Sequence, residues 1–185
     1  LALEFSESEQ GAEPYPIRML ITDEYIRIDE AGEETGYVLF DRKHNRIYSV
    51  LHGSEKILVV DPGQKLESPP EDLALRDEAV TDDNMPLVGD KKPLHHQFYA
   101  NETLCYHVIA IEGFLPEAVK ALKGFQSVLA AQQLETMSTT PKELQTPCFL
   151  ANYIYAAESY LSKGFPFEQW DVEGYRRSLV SFEEK

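Results

Sequence analysis

The sequence predicts an α+β protein in which an antiparallel β-sheet is packed by C-terminal helices. Three observations carry this. Over residues 17–61 apolar side chains recur at every second position, the period of a half-buried strand. From Pro116 the period changes to three and four, which is helical. After Pro166 it returns to strand-like runs. Strands, then helices, then strands, without alternation, define α+β rather than α/β.

The first stretch reads as four or five short strands. Ile17, Met19 and Ile21 alternate with Arg18 and Thr22, and Ile26 and Ile28 with Tyr25, Arg27 and Asp29. Val38 and Phe40 share one face, and Tyr48 and Val50 another. Ile57-Leu58-Val59-Val60 is continuous, which suits a strand covered on both faces. The segments between are rich in Gly, Asn and Asp, including Asp29-Glu30-Ala31-Gly32-Glu33-Glu34-Thr35-Gly36, and suit hairpin turns. Strands so closely spaced pair antiparallel, because a parallel crossover needs a dozen or more residues.

Residues 1–16 hold Leu1, Leu3 and Phe5 and read either as a first strand or as a frayed end. Residues 62–93 form an acidic loop with little periodicity, in which 73–80 fits a strand. A hairpin follows, 94–100 and 103–110, around Asn101-Glu102. Pro116 opens a helix, where its missing N–H is no loss. Its stripe is Val119, Leu122, Phe125, Leu129 and Gln133. Thr140-Pro141-Lys142-Glu143 has the form of a capping box for a short second helix. Thr146-Pro147 starts a third helix, through Leu161, with Gly164 as its left-handed cap. Phe167-Glu168-Gln169-Trp170 and residues 175–182 make a terminal hairpin around Asp171-Val172-Glu173-Gly174. The expected organisation is one domain, 1–185: a meander over 1–111 with the acidic loop 62–93, helices over 115–164 and the hairpin over 166–183.

Composition excludes several classes of function. Hydrophobic residues make up 43% and aromatics 11% of the 185 residues, too apolar for a disordered chain. With 32 acidic against 17 basic residues the formal charge is −15. That charge disfavours nucleic acid and anionic membrane surfaces as partners, while leaving neutral, apolar or cationic ligands open. No apolar run reaches the length of a membrane span. The chain starts at Leu1 rather than Met, as expected if a secretory signal was removed or a disordered end trimmed. With the two cysteines this favours a periplasmic or secreted location.

Few residues stand out for chemistry. Cys105 and Cys148 read as a structural disulfide, the favoured pairing in an exported chain. The alternative is a reactive Cys148 thiolate in the first turn of a helix. His95, His96 and His107 could approach one another, but adjacent His95 and His96 point to opposite faces, so at most one joins His107. No spaced metal motif is present, so no metal or other cofactor is expected. His44 and His52 fall in turns, and Arg42-Lys43-His44 with Arg46 form the densest basic spot. There is no nucleophile elbow, phosphate loop or dinucleotide fingerprint, which leaves catalysis unsupported. Phe125, Leu129, Tyr153 and Trp170 are the candidate lining of an apolar cavity between helix and sheet. Plain core packing is the competing reading.

The meander, with Ile26-Arg27-Ile28-Asp29 and then Ile47-Tyr48-Ser49-Val50, resembles the LolA/LolB lipoprotein-carrier fold and bacterial envelope domains similar to it. The resemblance covers residues 17–111 and the last hairpin. It implies a curved, half-barrel-like sheet with helices on the concave side and an acyl chain between them. The expected function is then a non-catalytic binding module or carrier for a lipid-like or other apolar ligand in the cell envelope. The alternatives are an envelope protein–protein interaction domain without a small ligand, and an unrecognised hydrolase or thiol enzyme.

Overall fold

A computed structural model describes residues 1–31 and 36–184. Eleven strands form one sheet: β1 (Ala2–Ser8), β2 (Tyr15–Ile21), β3 (Tyr25–Glu30), β4 (Gly36–Asp41), β5 (Arg46–Leu51), β6 (Ile57–Val60), β7 (Leu75–Val80), β8 (Leu94–Ala100), β9 (Thr103–Ile111), β10 (Phe165–Asp171) and β11 (Arg176–Glu183). The order across the sheet is β6-β5-β4-β3-β2-β1-β11-β10-β9-β8-β7. Every neighbouring pair is antiparallel. The chain thus meanders outward from β1 to β6 and restarts at the opposite edge with β7. It then works back until β11 lies beside β1. The sheet is not closed, and β6 and β7 are its edges.

The predicted meander over 17–61 is present, with turns for which the sequence supplies the chemistry. Thr22 Oγ1 accepts from the backbone N–H of Tyr25 at 3.0 Å. Asp41 Oδ1 accepts from the N–H groups of Lys43 and His44, each at 3.0 Å, and Asn45 takes the positive φ of 51° that closes the β4–β5 turn. The expected turn 29–36 falls partly on residues 32–35, outside the described residues. The choice left open for residues 1–16 resolves as a strand, and that strand is central. Leu3 and Phe5 of β1 are among the most deeply buried side chains of the chain.

Three expectations need correction. Strand β6 is not covered on both faces: it pairs only with β5, and Ile57 and Leu58 are 57% and 66% exposed. A continuous apolar run is ambiguous between a buried strand and an apolar edge, and here position in the sheet decides. The capping box at Thr140 is not made either. Pro141 is extended (φ −53°, ψ 137°), leaving only a 3-10 turn over Lys142–Leu144, and Gln145 Nε2 instead satisfies the carbonyls of Met137 and Thr140 at 3.2 and 2.8 Å. Lastly, the third helix is short. Thr146 caps α2 (Pro147–Leu150) as expected, accepting from Phe149 N–H at 3.1 Å. The chain then widens: Ala156 N–H donates to Ala151 O at 2.8 Å, an i→i+5 bond, making a π turn over Ala151–Tyr155 before a 3-10 turn over Ser159–Lys163. Gly164 follows with φ 119° and ψ −163°, which is not a left-handed cap. Glycine is required there because a Cβ would overlap the carbonyl of Ile111.

The long helix α1 (Pro116–Thr136) begins where Pro116 predicts. Its buried face is Ala118, Ala121, Leu122 and Val128, with Phe125 in a T-shaped contact with Phe40 at 5.7 Å. Small residues let the helix lie close to the sheet; at Gly124 a Cβ would already sit 3.4 Å from the Phe40 ring. Leu129 and Gln133, assigned to the buried stripe by period alone, lie to one side of it. One core cluster joins Leu3, Phe5, Met19, Ile26, Phe40, Val108 and Phe165 to α1.

Cys105 of β9 and Cys148 of α2 form the disulfide, with Cα atoms 5.4 Å apart and a sequence separation of 43 residues. No described cysteine is free, so the thiolate reading of Cys148 falls. Leu3→Ala should cost about 2–5 kcal/mol, the range for emptying a tightly packed leucine site. The Cys105→Ala/Cys148→Ala pair should cost at most about 4 kcal/mol by loop-closure entropy. Guanidinium unfolding of both variants measures the two costs on one scale.

Candidate functional site: a cleft between sheet and helices

At one end of the sheet the side chains facing the helices change from apolar to polar. Gln169 pairs with Val108 and Asp171 with Tyr106, so both point to the same side as those residues. Arg177 pairs with Glu7 and with Gln169 and therefore shares that side. A cleft of about 490 Å³ opens here, between β9–β11 on the floor, α1 on one flank and the π turn on the other.

The charged groups of the floor have close neighbours, although the buried Arg177 Nε makes no hydrogen bond among the described residues. The Arg177 guanidinium lies 3.9 Å above the Phe5 ring, and its Nε is 3.5 Å from Glu7 Oε1. Tyr15 OH donates to Glu7 Oε2 at 3.3 Å. Asp171 Oδ1 accepts from the backbone N–H groups of Glu173 and Tyr175, at 2.9 and 3.0 Å, fixing the β10–β11 turn. Tyr160 is buried under α1, where Gln126 Nε2 donates to its hydroxyl at 3.5 Å. Burial pushes the Tyr160 and Tyr175 phenols up, so both keep their protons and act as neutral hydrogen-bonding groups.

Of the four residues proposed as an apolar lining, Leu129 and Tyr153 face this cleft and are 37% and 58% exposed. Trp170 lies at its border, but its indole stacks on His107, 4.7 Å between centroids with 6° between planes. Phe125 does not reach the cleft and belongs to the core against Phe40. Beyond Gln133, which lies on the predicted stripe of α1, what the sequence reading missed is the polar content: Gln132, Asn152, Gln169 and Arg177. The available signal was a pair of polar residues, Gln169 and Arg177, at inward positions of the terminal hairpin. A second cleft, about 600 Å³, lies on the other flank of α1 beneath residues 62–67. Its outer wall is irregular chain rather than strand or helix.

The histidines divide as the strand period requires. His95 Nε2 and His107 Nδ1 meet at 2.9 Å on the outer face beside Trp170, while His96 is buried on the inner face opposite Val108. The His95 and His107 rings are 5.1 Å apart, nearly the whole reach of two imidazoles meeting head-on. That is the geometry of a hydrogen bond rather than of two ligands converging on one ion. Among the described residues no group of three His, Cys, Asp or Glu is placed to hold a metal. His44, in the β4–β5 turn, is bonded to Asp41 Oδ2 at 2.8 Å while remaining largely exposed. Asp29 is buried on the outer face between Arg18 and Arg27, at 2.8 Å from each. Burial alone would raise its pKa, but the two guanidinium hydrogen bonds outweigh that and hold it below the ordinary value.

In comparisons with protein-family models, curated proteins and solved structures, nothing matches this chain. Fold and site together define an antiparallel-sheet protein with a walled cleft.

Burial lowers the pKa of His95, His96 and His107, and neighbouring positive or titrating groups (His96 on His95, Lys163 on His96, His95 on His107) add to it. The folded chain therefore binds fewer protons than the unfolded chain below pH about 6.5, the ordinary histidine value. Stability is full above that pH and should fall as pH drops through the depressed native values. Denaturation midpoints at pH 7.5 and 5.5 test the sign, and His107→Gln should reduce the difference.

Proposed function

We propose that this chain is a non-catalytic binding module or carrier of the cell envelope, which holds a small ligand with apolar faces between its sheet and its helices. The observation that carries the reading is the cleft itself. It is walled by regular elements on three sides, open to solvent, and edged by Leu129 and Tyr153 at its mouth. Its volume lies within the range of small-molecule sites. The disulfide favours an oxidising compartment, consistent with export. Among the described residues no helix is long and apolar enough to cross a membrane.

A curved, half-barrel-like sheet fits the same reading. Phe114, just before α1, touches Phe165 of β10, and Phe125 touches Phe40 of β4. Between those points the helix advances about 16 Å. The flat distance across the sheet, five strand spacings, is about 24 Å. A sheet that bends around the helix accommodates the shorter path.

A second reading, an interaction domain without a small ligand, draws support from β6. Its unpaired edge carries exposed Ile57, Leu58 and Val59 next to Leu51, the kind of edge that another chain can extend.

Native mass spectra of protein exported in its oxidised form test the first reading. A retained small-molecule adduct is expected, lost in Leu129→Trp, which fills the mouth while leaving the far-ultraviolet circular dichroism unchanged. A bare mass, together with a protein partner captured through β6 and lost in Leu58→Lys, would sink it in favour of the second.

A further inference from the structure

Resting on that reading, the geometry points to a neutral, hydroxyl-rich ligand, a saccharide, as the occupant of the cleft. The lining holds one charged group of each sign, Arg177 and Asp171, and so no excess of charge that would select an ion. Arg177 lies against Glu7 and the Phe5 ring, and Asp171 Oδ1 accepts from its own turn. With a formal charge of −15 around it, an anionic ligand would also be repelled at long range.

What remains available is amide and ring. Gln132 and Gln133 present side chains to the cleft with no hydrogen-bond partner among the described residues. Asn152 Oδ1 is buried and unpartnered, and gains a donor if its amide turns toward the cleft. Each amide offers an acceptor and two donors side by side. A hydroxyl group is donor and acceptor at once, so a row of hydroxyls satisfies a row of amides in either orientation. An acyl chain filling the same space would leave these groups facing hydrocarbon, with nothing to replace the hydrogen bonds they make to water. The purely apolar ligand expected from the sequence is therefore a poor match for these walls.

Tyr153 completes the pattern. Its ring stands at the mouth, more than half exposed, beside Phe149 at 5.2 Å. A flat ring with a polar tip suits a sugar, whose C–H face needs an apolar surface and whose edge needs hydrogen bonds.

The test uses the full oxidised chain on a glycan array holding neutral, sulfated and sialylated members, with calorimetry on maltotetraose, chitotetraose and palmitate. Binding to neutral glycans is expected, with affinity lowered at least tenfold in Tyr153→Ala and in Gln133→Ala while the thermal midpoint is unchanged. Leu51→Ser, far from the cleft, should leave binding unaltered. Preference for the charged glycans would overturn the proposal. So would palmitate binding with no glycan bound, although the cleft would then stand as a ligand site. Silence from every probe, together with a bare native mass, would overturn both the saccharide and the ligand-binding reading.

Discussion

The pairing of β1 with β11 is the contact on which the rest of the structure depends. Seven residues of the first strand register with the last, Ala2 opposite Glu183 and Ser8 opposite Arg176, through one bulge after Glu4. Without that seam the molecule is two separate meanders, β1–β6 and β7–β11, each with one further unpaired edge. With it, the two halves share a face, and Leu3 and Phe5 become the middle of a common core. Because the paired strands are the first and the last of the sheet, the seam closes at the largest loop-closure cost the topology allows. Side chains reinforce it: the Arg177 guanidinium of β11 lies 3.9 Å over the Phe5 ring, and Phe5 also stacks on Phe165 of β10 at 6.5 Å.

The same seam sets the position of the cleft. Along β1 the inner face runs from Leu3 and Phe5 to Glu7, and β11 answers with Leu179 and then Arg177. The core therefore ends where the inward residues turn polar, and the helices cannot close over that end without burying the Glu7–Arg177 pair more deeply. Burying an ion pair costs desolvation that its attraction does not reliably return. The open cleft leaves that pair, each side chain 17% exposed, within reach of water. Phe5 sits at the boundary, apolar on one side and under a guanidinium on the other.

Much of the fold was legible because it rests on short-range pattern. Alternation in 17–61, the shift to helical period at Pro116 and the turn residues Asn45, Gly53 and Gly174 are all local signals. What was not legible depends on partners distant in sequence. The run Ile57-Leu58-Val59-Val60 reads as buried until β6 is known to be an edge. Leu129 and Phe125 lie four apart on one helix, yet one faces the cleft and the other the core, a distinction set by where α1 crosses β4. Trp170 shows the same limit. The bulge between Pro166 and Glu168 fixes which face each later residue of β10 takes, and it turns Trp170 outward to His107 and Gln169 inward. The helix expected to run to Leu161 fails for a local reason that propensity does not capture, a π turn that the chain adopts immediately after the disulfide-tethered α2.

That tether links the covalent structure to the cleft. Cys148 is fixed to β9, and four and five residues later Asn152 and Tyr153 form the flank opposite α1. The π turn aims them, because an i→i+5 turn widens the helix and displaces side chains from the positions a regular helix would give them. A disulfide at the root of a short segment restricts that flank far more than the four-residue helix could by itself. The cleft therefore has one wall from a continuous sheet, one from a long helix packed on the core, and one from a short segment held covalently. A cleft built this way is largely ordered by the fold itself. The exception is the Tyr153 ring, which stands 58% exposed at the mouth beside Phe149.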